Sequence, residues 1–354
     1  MKSTTITSYN AVVNSSFSGA SGEKINGIQT YKTITEALAN APKTPQNEYI
    51  IFIKSGRYHE KITVGKPNIT FFGENMSKTR LTYDVANSTK RPDGTTYGTF
   101  GSASCSVIAE NFKAENLTFE NTFDYPKNQS KTDSDKSKLA NPQAVALNLS
   151  KNSNHAYFKE CRFIGYQDTL YVNSGASYFS NCYISGCIDF IFGAGQAFFN
   201  KCDIVSQDMG SKTDNGYITA ASTNISNKYG FVFYKCNIKK GSTKMAAHTV
   251  SLGRPWHPTT LFPSGIKEAD PNAVGSVIYI NCTMYSHITI NGWSKMHGKD
   301  KDGNLIYFMP ENSRFYEYEN KGPGATQNAS RKQLSKKDAK NCTEKNVLGG
   351  WEPK

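Results

Sequence analysis

No stretch of this 354-residue chain is long and apolar enough to form a membrane-spanning helix, so no membrane partner is expected. Hydrophobic residues make up only 37%, while Tyr and Phe number 20 each, a mixture that suits a β-rich protein with a large wet surface. The opening residues Met1-Lys2-Ser3-Thr4-Thr5 lack the apolar core of a signal peptide. The chain is therefore read either as cytosolic or as the mature form of a secreted protein with an added Met. Sequons at Asn75, Asn87, Asn116, Asn128, Asn224 and Asn328 point weakly to secretion. The six histidines, among them His59, His155 and His248, form no triad or metal pattern. The eight cysteines show no zinc spacing either, so neither metal nor cofactor is expected. Acidic residues are the scarcer charge, 29 against 41 basic, for a net +12. The lysines are scattered and cluster only near the C-terminus, at Arg331, Lys332, Lys336 and Lys337. No basic run is interleaved with aromatics, which argues against nucleic acid as a partner. A solvated basic surface or attraction to an acidic polymer remains.

What is present is a repeat. A phrase of the form aromatic-x-x-Cys-x-apolar occurs as Phe158 to Phe163 and again as Phe179 to Ile184. Aligning its relatives gives one column at Ile69, Leu117, Cys161, Cys182, Cys202, Cys236 and Cys282. A second column, two residues on, reads Phe71, Phe119, Phe163, Ile184, Ile204, Ile238 and Met284. The spacings are 48, 44, 21, 20, 34 and 46, so intervals near 20 fit one coil and longer ones add coils or loops. Both columns are expected to face inward. Self-similarity at this period marks a solenoid, and the strand-like residues make it an all-β, single-stranded right-handed parallel β-helix. The cysteines read as a ladder of small buried thiols. Stacked coils would also permit inter-coil disulfides such as Cys161–Cys182 or Cys182–Cys202.

The chain is expected to form one domain, 1–354, with an N-terminal cap over about 1–48 and a C-terminal cap and tail over about 312–354. Thr33-Ile34-Thr35-Glu36 predicts a capping box and a short helix over the N-terminal end. Ser335-Lys336-Lys337-Asp338 predicts a second short helix in the tail. Polar insertions near 87–98, 124–141, 206–216, 240–250 and 257–275 read as loops walling a cleft. Covered ends suggest a monomer.

Asp168 and Asp189 stand 21 residues apart, each seven residues after its cysteine. If the period is one coil, the two carboxylates stack at the strand spacing of roughly 4.8 Å. Two acids so close do not both ionise comfortably, which suits one nucleophile and one proton donor.

Four further phrases surround them: Gln143-Ala144-Val145-Ala146-Leu147, Gly165-Tyr166-Gln167-Asp168-Thr169-Leu170-Tyr171, Gly186-Cys187-Ile188-Asp189-Phe190-Ile191-Phe192-Gly193, and Leu252-Gly253-Arg254-Pro255-Trp256. With Gly56-Arg57-Tyr58-His59-Glu60, they closely resemble the signature set of pectin methylesterases, from about Thr30 to Trp351. Asp133-Ser134-Asp135 and the stretch from Lys295 to Asp300 look most like the bacterial branch.

The resemblance implies a secreted carboxylic ester hydrolase whose partner is methyl-esterified polygalacturonate, or pectin. It implies Asp189 as nucleophile, Asp168 as general acid and then base, Gln143 and Gln167 as oxyanion donors, and Arg254 as the holder of Asp189. It places Trp256, Thr99, Tyr171, Ile188, Phe192, Tyr217, Thr259 and Met296 in the sugar-binding groove. The chain departs from the family pattern at Ala221, where relatives often carry Pro or Gln, and at Cys187, where Thr or Val is frequent. Cys187 is read as structural because no histidine is placed to activate it.

Plainer readings compete. Gln143 and Gln167 could form a structural amide ladder between coils. Arg254 could be a surface ion pair, although Pro255 and Trp256 beside it argue for a fixed site. Tyr171, Ile188, Phe192 and Met296 could be ordinary core. A pectate lyase or polygalacturonase would share the fold, and a non-catalytic polysaccharide binder could keep it without the acids.

Overall fold

The computed structural model describes residues 8–150 and 152–353. One coil shows how the sequence makes the fold. Ala156–Lys159 lies in the first sheet, Arg162–Ile164 in the second and Leu170–Val172 in the third; Ala176–Ser180 then returns to the first, one layer on. Repetition builds sheets of twelve, eight and seven strands, parallel throughout except for one N-terminal antiparallel pair. The result is a parallel β-helix with its hydrophobic core enclosed by the three sheets.

The bend between the first and second sheets explains the repeated phrase. Its pivot residue adopts a left-handed backbone in coil after coil: Glu160 (φ 51), Asn181 (φ 52), Lys201 (φ 54), Lys235 (φ 54) and Asn281 (φ 53). The next residue is the cysteine, and its thiol meets the backbone carbonyl of the preceding coil's aromatic residue. Cys182 Sγ donates to Phe158 O, Cys202 to Phe179 O, Cys236 to Phe199 O and Cys282 to Phe233 O. A small side chain with a weak donor therefore fits each bend. All eight cysteines are free and buried. The aromatic position stacks too: Phe158, Phe179, Phe199, Phe233 and Tyr279 form a continuous pile with centroids 4.5–4.8 Å apart and planes within 13°. Offset stacks at this separation are favourable beyond the area they bury.

The first members of the expected columns require correction. Ile69 and Phe71 belong to the first sheet, where Phe71 pairs with Ala114 and Ala114 with Phe158. In the second sheet it is Leu81 that pairs with Phe119, so Thr79 and Leu81 occupy the column positions given to Ile69 and Phe71. Both pairs are apolar or β-branched and buried, so hydrophobic pattern alone does not separate neighbouring sheets of one coil.

The predicted N-terminal helix is Ile34–Asn40, with Thr33 and Glu36 making the reciprocal capping box. Lys66 Nζ donates to the carbonyls of Leu38, Ala39 and Ala41 at its other end. The cap also contains strands: Ala11–Val13 and Ile28–Tyr31 extend the first sheet, and Glu23–Ile25 closes its edge antiparallel. The sheet therefore ends on a short, exposed three-residue strand carrying Glu23 and Lys24, a poor template for another chain to pair with. At the other end, Ser335 caps the predicted helix Lys336–Asn341. The tail continues as a strap across the outside of the first sheet, held by Tyr178 Oη to Glu344 at 3.0 Å and Gln196 Nε2 to Val347 O at 2.9 Å.

Candidate active site

The third sheet carries the site. Leu170 pairs with Ile191 and Tyr171 with Phe192, so Asp168 and Asp189 occupy equivalent places on successive coils. The Asp168 N–H donates to Ile188 O at 3.0 Å, locking the two coils together at the acids. Both aspartates are left-handed, at φ 64 and φ 50, and the pairing slips between Ile188 and Ile191. Asp is among the residues that tolerate this region best, and the slip sets Asp189 in a bulge between Ile188 and Ile191. Gly186 permits the close fold beneath, since a Cβ there would lie 2.2 Å from Phe190 Cβ and 2.5 Å from Tyr166 O.

Arg254 reaches Asp189 from two coils on, across the strand Gly216–Ala221. Its Nε donates to Asp189 Oδ1 at 2.9 Å and its Nη2 to Oδ2 at 2.6 Å, a two-pronged pair with both side chains largely buried. This replaces the surface ion-pair alternative with a fixed, desolvated one. Tyr217, expected in the groove, lies under the guanidinium instead, 3.9 Å from ring centroid to Cζ, and its hydroxyl donates to Asp214 at 3.2 Å. The aromatic face stabilises the cation from below.

Electrostatics separate the acids. Burial raises the Asp168 carboxyl well above the usual range, the neighbouring Asp189 raises it further, and Arg254 opposes. Burial also raises Asp189, but there the Arg254 charge and its hydrogen bonds pull back. Asp189 is thus the group that holds the negative charge, and Asp168 the one that keeps a proton.

The acids open into a cleft of about 250 Å³. Gln143, Gln167 and Arg254 line it with Thr99, Phe192, Trp256 and Met296. Gln143 Oε1 is buried without a hydrogen-bond partner, so no amide ladder ties it to Gln167. The link between these two segments is through the backbone, Ala144 N–H to Gln167 O at 3.1 Å. Thr99 sits on the short helix Gly98–Gly101 and accepts from Asn87 Nδ2 at 2.8 Å. Lys61 grips the end of that turn through Gly101 O and Ala103 O. Burial moves its ammonium down to about 8. Trp256 is set by its backbone N–H, which donates to Ala221 O at 3.0 Å. Met296 begins the hairpin strand Met296–Lys299, whose partner Phe308 stacks on His257 at 3.5 Å.

Not every expected groove residue lines the cleft. Tyr171 is buried as a supporting ring, stacked at 4.6 Å on both Phe100 and Phe192. Ile188 is half-buried at the bulge and pairs with Tyr217. Thr259 is exposed at the start of the hairpin formed with Lys267–Ala269, outside the cleft lining. Two lining residues had no signal in the sequence, Phe100 and Ala220. Phe100 lies at the end of a polar insertion, where a single exposed aromatic reads as incidental. Ala220 adjoins Ala221, the departure already noted. Among the described residues, no group of three or more His, Cys, Asp or Glu side chains could hold a metal ion.

The model of one family, Pectinesterase, matches residues 24–350. The chain belongs to the pectinesterase family. It is accordingly a carboxylic ester hydrolase. It is 46% identical to pectinesterase A of Dickeya dadantii over 352 residues, 98% of this chain and 92% of that protein. The pectin methylesterase PemA from Erwinia chrysanthemi has a matching structure, TM-score 0.92 at 45% identity over 98% of this chain and 99% of that one. A pectin methylesterase solved in complex with a hexasaccharide matches equally well, TM-score 0.92 over the same shares. These likenesses are to the bacterial branch.

Proposed function

We propose that this chain removes methyl groups from methyl-esterified polygalacturonate, releasing methanol and leaving galacturonate, through an acyl-aspartate intermediate. The observation that carries the mechanism is the unequal treatment of two facing acids, one clamped by Arg254 and one left to keep its proton. The hexasaccharide bound by its structural relative supports a pectic chain as the ligand.

Asp189 attacks the ester carbonyl carbon as a carboxylate. It is a weak nucleophile, and being held against the ester supplies the effective concentration that free carboxylate lacks. Negative charge moves to the carbonyl oxygen, where the amide N–H groups of Gln143 and Gln167 stabilise it. Collapse breaks the carbon–methoxy bond, the leaving oxygen takes the Asp168 proton, and methanol departs. A mixed anhydride joins Asp189 to the sugar. Asp168, now ionised, takes a proton from water as the hydroxide adds to the galacturonyl carbon. Cleavage of the anhydride frees the galacturonyl acid, which ionises in solution, and restores both aspartates. Arg254 stays bonded to Asp189 and stabilises it as leaving group in this second half.

Thr99, Phe192, Trp256 and Met296 form the sugar-binding walls, with Tyr171 and Tyr217 holding Phe192 and Arg254 from behind. The enzyme acts as a secreted monomer on plant cell-wall pectin, and its positive charge favours retention on the increasingly anionic product.

A pectin series of graded esterification, assayed in parallel for methanol and for chain shortening, tests this reading. Methanol release rising with methyl content, with polymer length unchanged, is expected. Chain cleavage without methanol would assign the cleft to a lyase or glycoside hydrolase.

A further inference from the structure

The polar insertion after residue 123 folds into the helix Tyr125–Ser130, capped by Asp124 and tied down by Asn128, whose side chain bonds Leu139 in both directions. Tyr125 points inward from it and is only 4% exposed. Its ring stacks on Tyr166 at 5.6 Å and 11°, two residues before Asp168. Its hydroxyl lies within electrostatic reach of the Cys187 thiol, two residues before Asp189, and of the Gln129 side chain. Cys187 is fully buried, and its N–H donates to Tyr166 O at 2.8 Å, so the two backbones behind the acids are themselves joined.

We propose that Tyr125 is a positioning residue of the esterase site: its ring closes the rear of the acid pair to water and fixes the Tyr166–Asp168 backbone through Tyr166 and Cys187. This rests on the reading of Asp168 as general acid. The cleft side of the pair is open to substrate, and the insertion packs behind it, where the Tyr125 ring lies on Tyr166. The insertion supplies an aromatic ring there, beside the Cys187 thiol of the Asp189 coil, and neither group carries charge. Burial holds the Tyr125 phenol up to about 12 and the Cys187 thiol up to about 12, so both stay neutral through the working range. The groups that face Asp168 are thus Asp189 and Arg254 on later coils, Tyr171 on its own strand, and Cys187 and Tyr125 behind. Only Arg254 favours ionised Asp168. Water admitted from behind would do the same, and more of the acid would be lost at a given pH.

The experiment compares Tyr125→Ala, Tyr125→Leu and Tyr125→Phe with the parent, measuring kcat and KM for methanol release across pH beside thermal melting. Tyr125→Ala is expected to move the alkaline limb of kcat towards acid by about one pH unit, with KM changed less than about twofold. Tyr125→Phe keeps the ring and is expected to keep the limb in place. Should Tyr125→Ala fail to fold, Tyr125→Leu is read instead, with a smaller shift of the same sign. A limb unmoved in the folded small-side-chain variant, whatever happens to amplitude or melting, overturns the proposal. So does an equal shift in Tyr125→Phe, which would place the effect in the hydroxyl. Asp168→Asn, assayed alongside, separates the two claims. If it is inactive while the limb stays fixed, only the role of Tyr125 is lost; if it is active, the general-acid reading goes first.

Discussion

The same coil period stacks two kinds of side chain, with opposite consequences. At the bend between the first and second sheets it piles ring on ring, four phenylalanines and Tyr279, and cysteine on cysteine for five layers. Each added layer there buries more apolar surface and repeats a contact that already works. On the third sheet it piles Asp168 against Asp189 for two layers. Like charges at one strand spacing repel, and here Arg254 clamps one member while burial and that charged neighbour raise the carboxyl of the other. The aromatic pile is a store of stability, and the acid pair is a local strain that the rest of the helix supports. Reactivity arises where the repeat is made to stack groups that do not want to be stacked.

The largest effect expected from this contrast is at Asp189. Asp189→Ala removes the proposed nucleophile and should lower kcat for methanol release by about 10⁴-fold or more. The melting temperature should fall, because the Arg254 guanidinium is left buried without its carboxylate, so the activity loss is read on protein shown to be folded at the assay temperature. Surviving activity in a properly folded variant would falsify the assignment. Phe179→Ala tests the other side. It leaves a hole in the middle of the aromatic pile and should cost about 3–5 kcal/mol in denaturant unfolding. Once the protein is folded, KM should change little, since the pile lies on the sheets away from the cleft.

A third variant probes how the strained stack is used. Gln143→Ala should reduce kcat by about 100- to 1,000-fold with little change in KM or stability. Its amide oxygen has no internal partner to lose, so a large drop in melting temperature would mean that the side chain is structural after all. Arg254 sharpens the same point, because its fork serves Asp189 through two donors that a lysine could not both supply.

Legibility in the sequence followed the same division. The stacked columns were readable because each coil repeats a residue type, and repetition is visible without coordinates. Where two sheets carry similar apolar phrases, as at Ile69 to Phe71 and Thr79 to Leu81, the repeat could not say which sheet a phrase belonged to. The acids were readable from their shared offset from cysteine, and their neighbours from the family resemblance. Phe100 and Tyr125 were not readable. Each comes from an insertion with no counterpart in other coils, and its position depends on how a loop folds back rather than on the period. Tyr217 was placed near the site by resemblance, but its location under Arg254 depends on the bulge at Ile188 to Ile191, which no spacing announces.

The smallest effect belongs to a single thiol. Cys182→Ala deletes one sulfur from the ladder and leaves Phe158 O without its thiol contact, in a bend already set by the left-handed Asn181. A cost of about 1 kcal/mol in unfolding is expected, with kcat and KM unchanged, because the layers above and below still hold the aromatic pile. The measurement also bears on whether the ladder is made of thiols in the working protein. A free thiol lost from Cys182 should leave Cys202 as unreactive to alkylating reagents as before, since burial rather than bonding protects it. A loss of several kcal/mol, with one newly titratable thiol on unfolding, would instead mark a covalent rung between adjacent coils. The apolar stack would then owe part of its strength to a bond, and the contrast with the acid pair would narrow to one between two strained places.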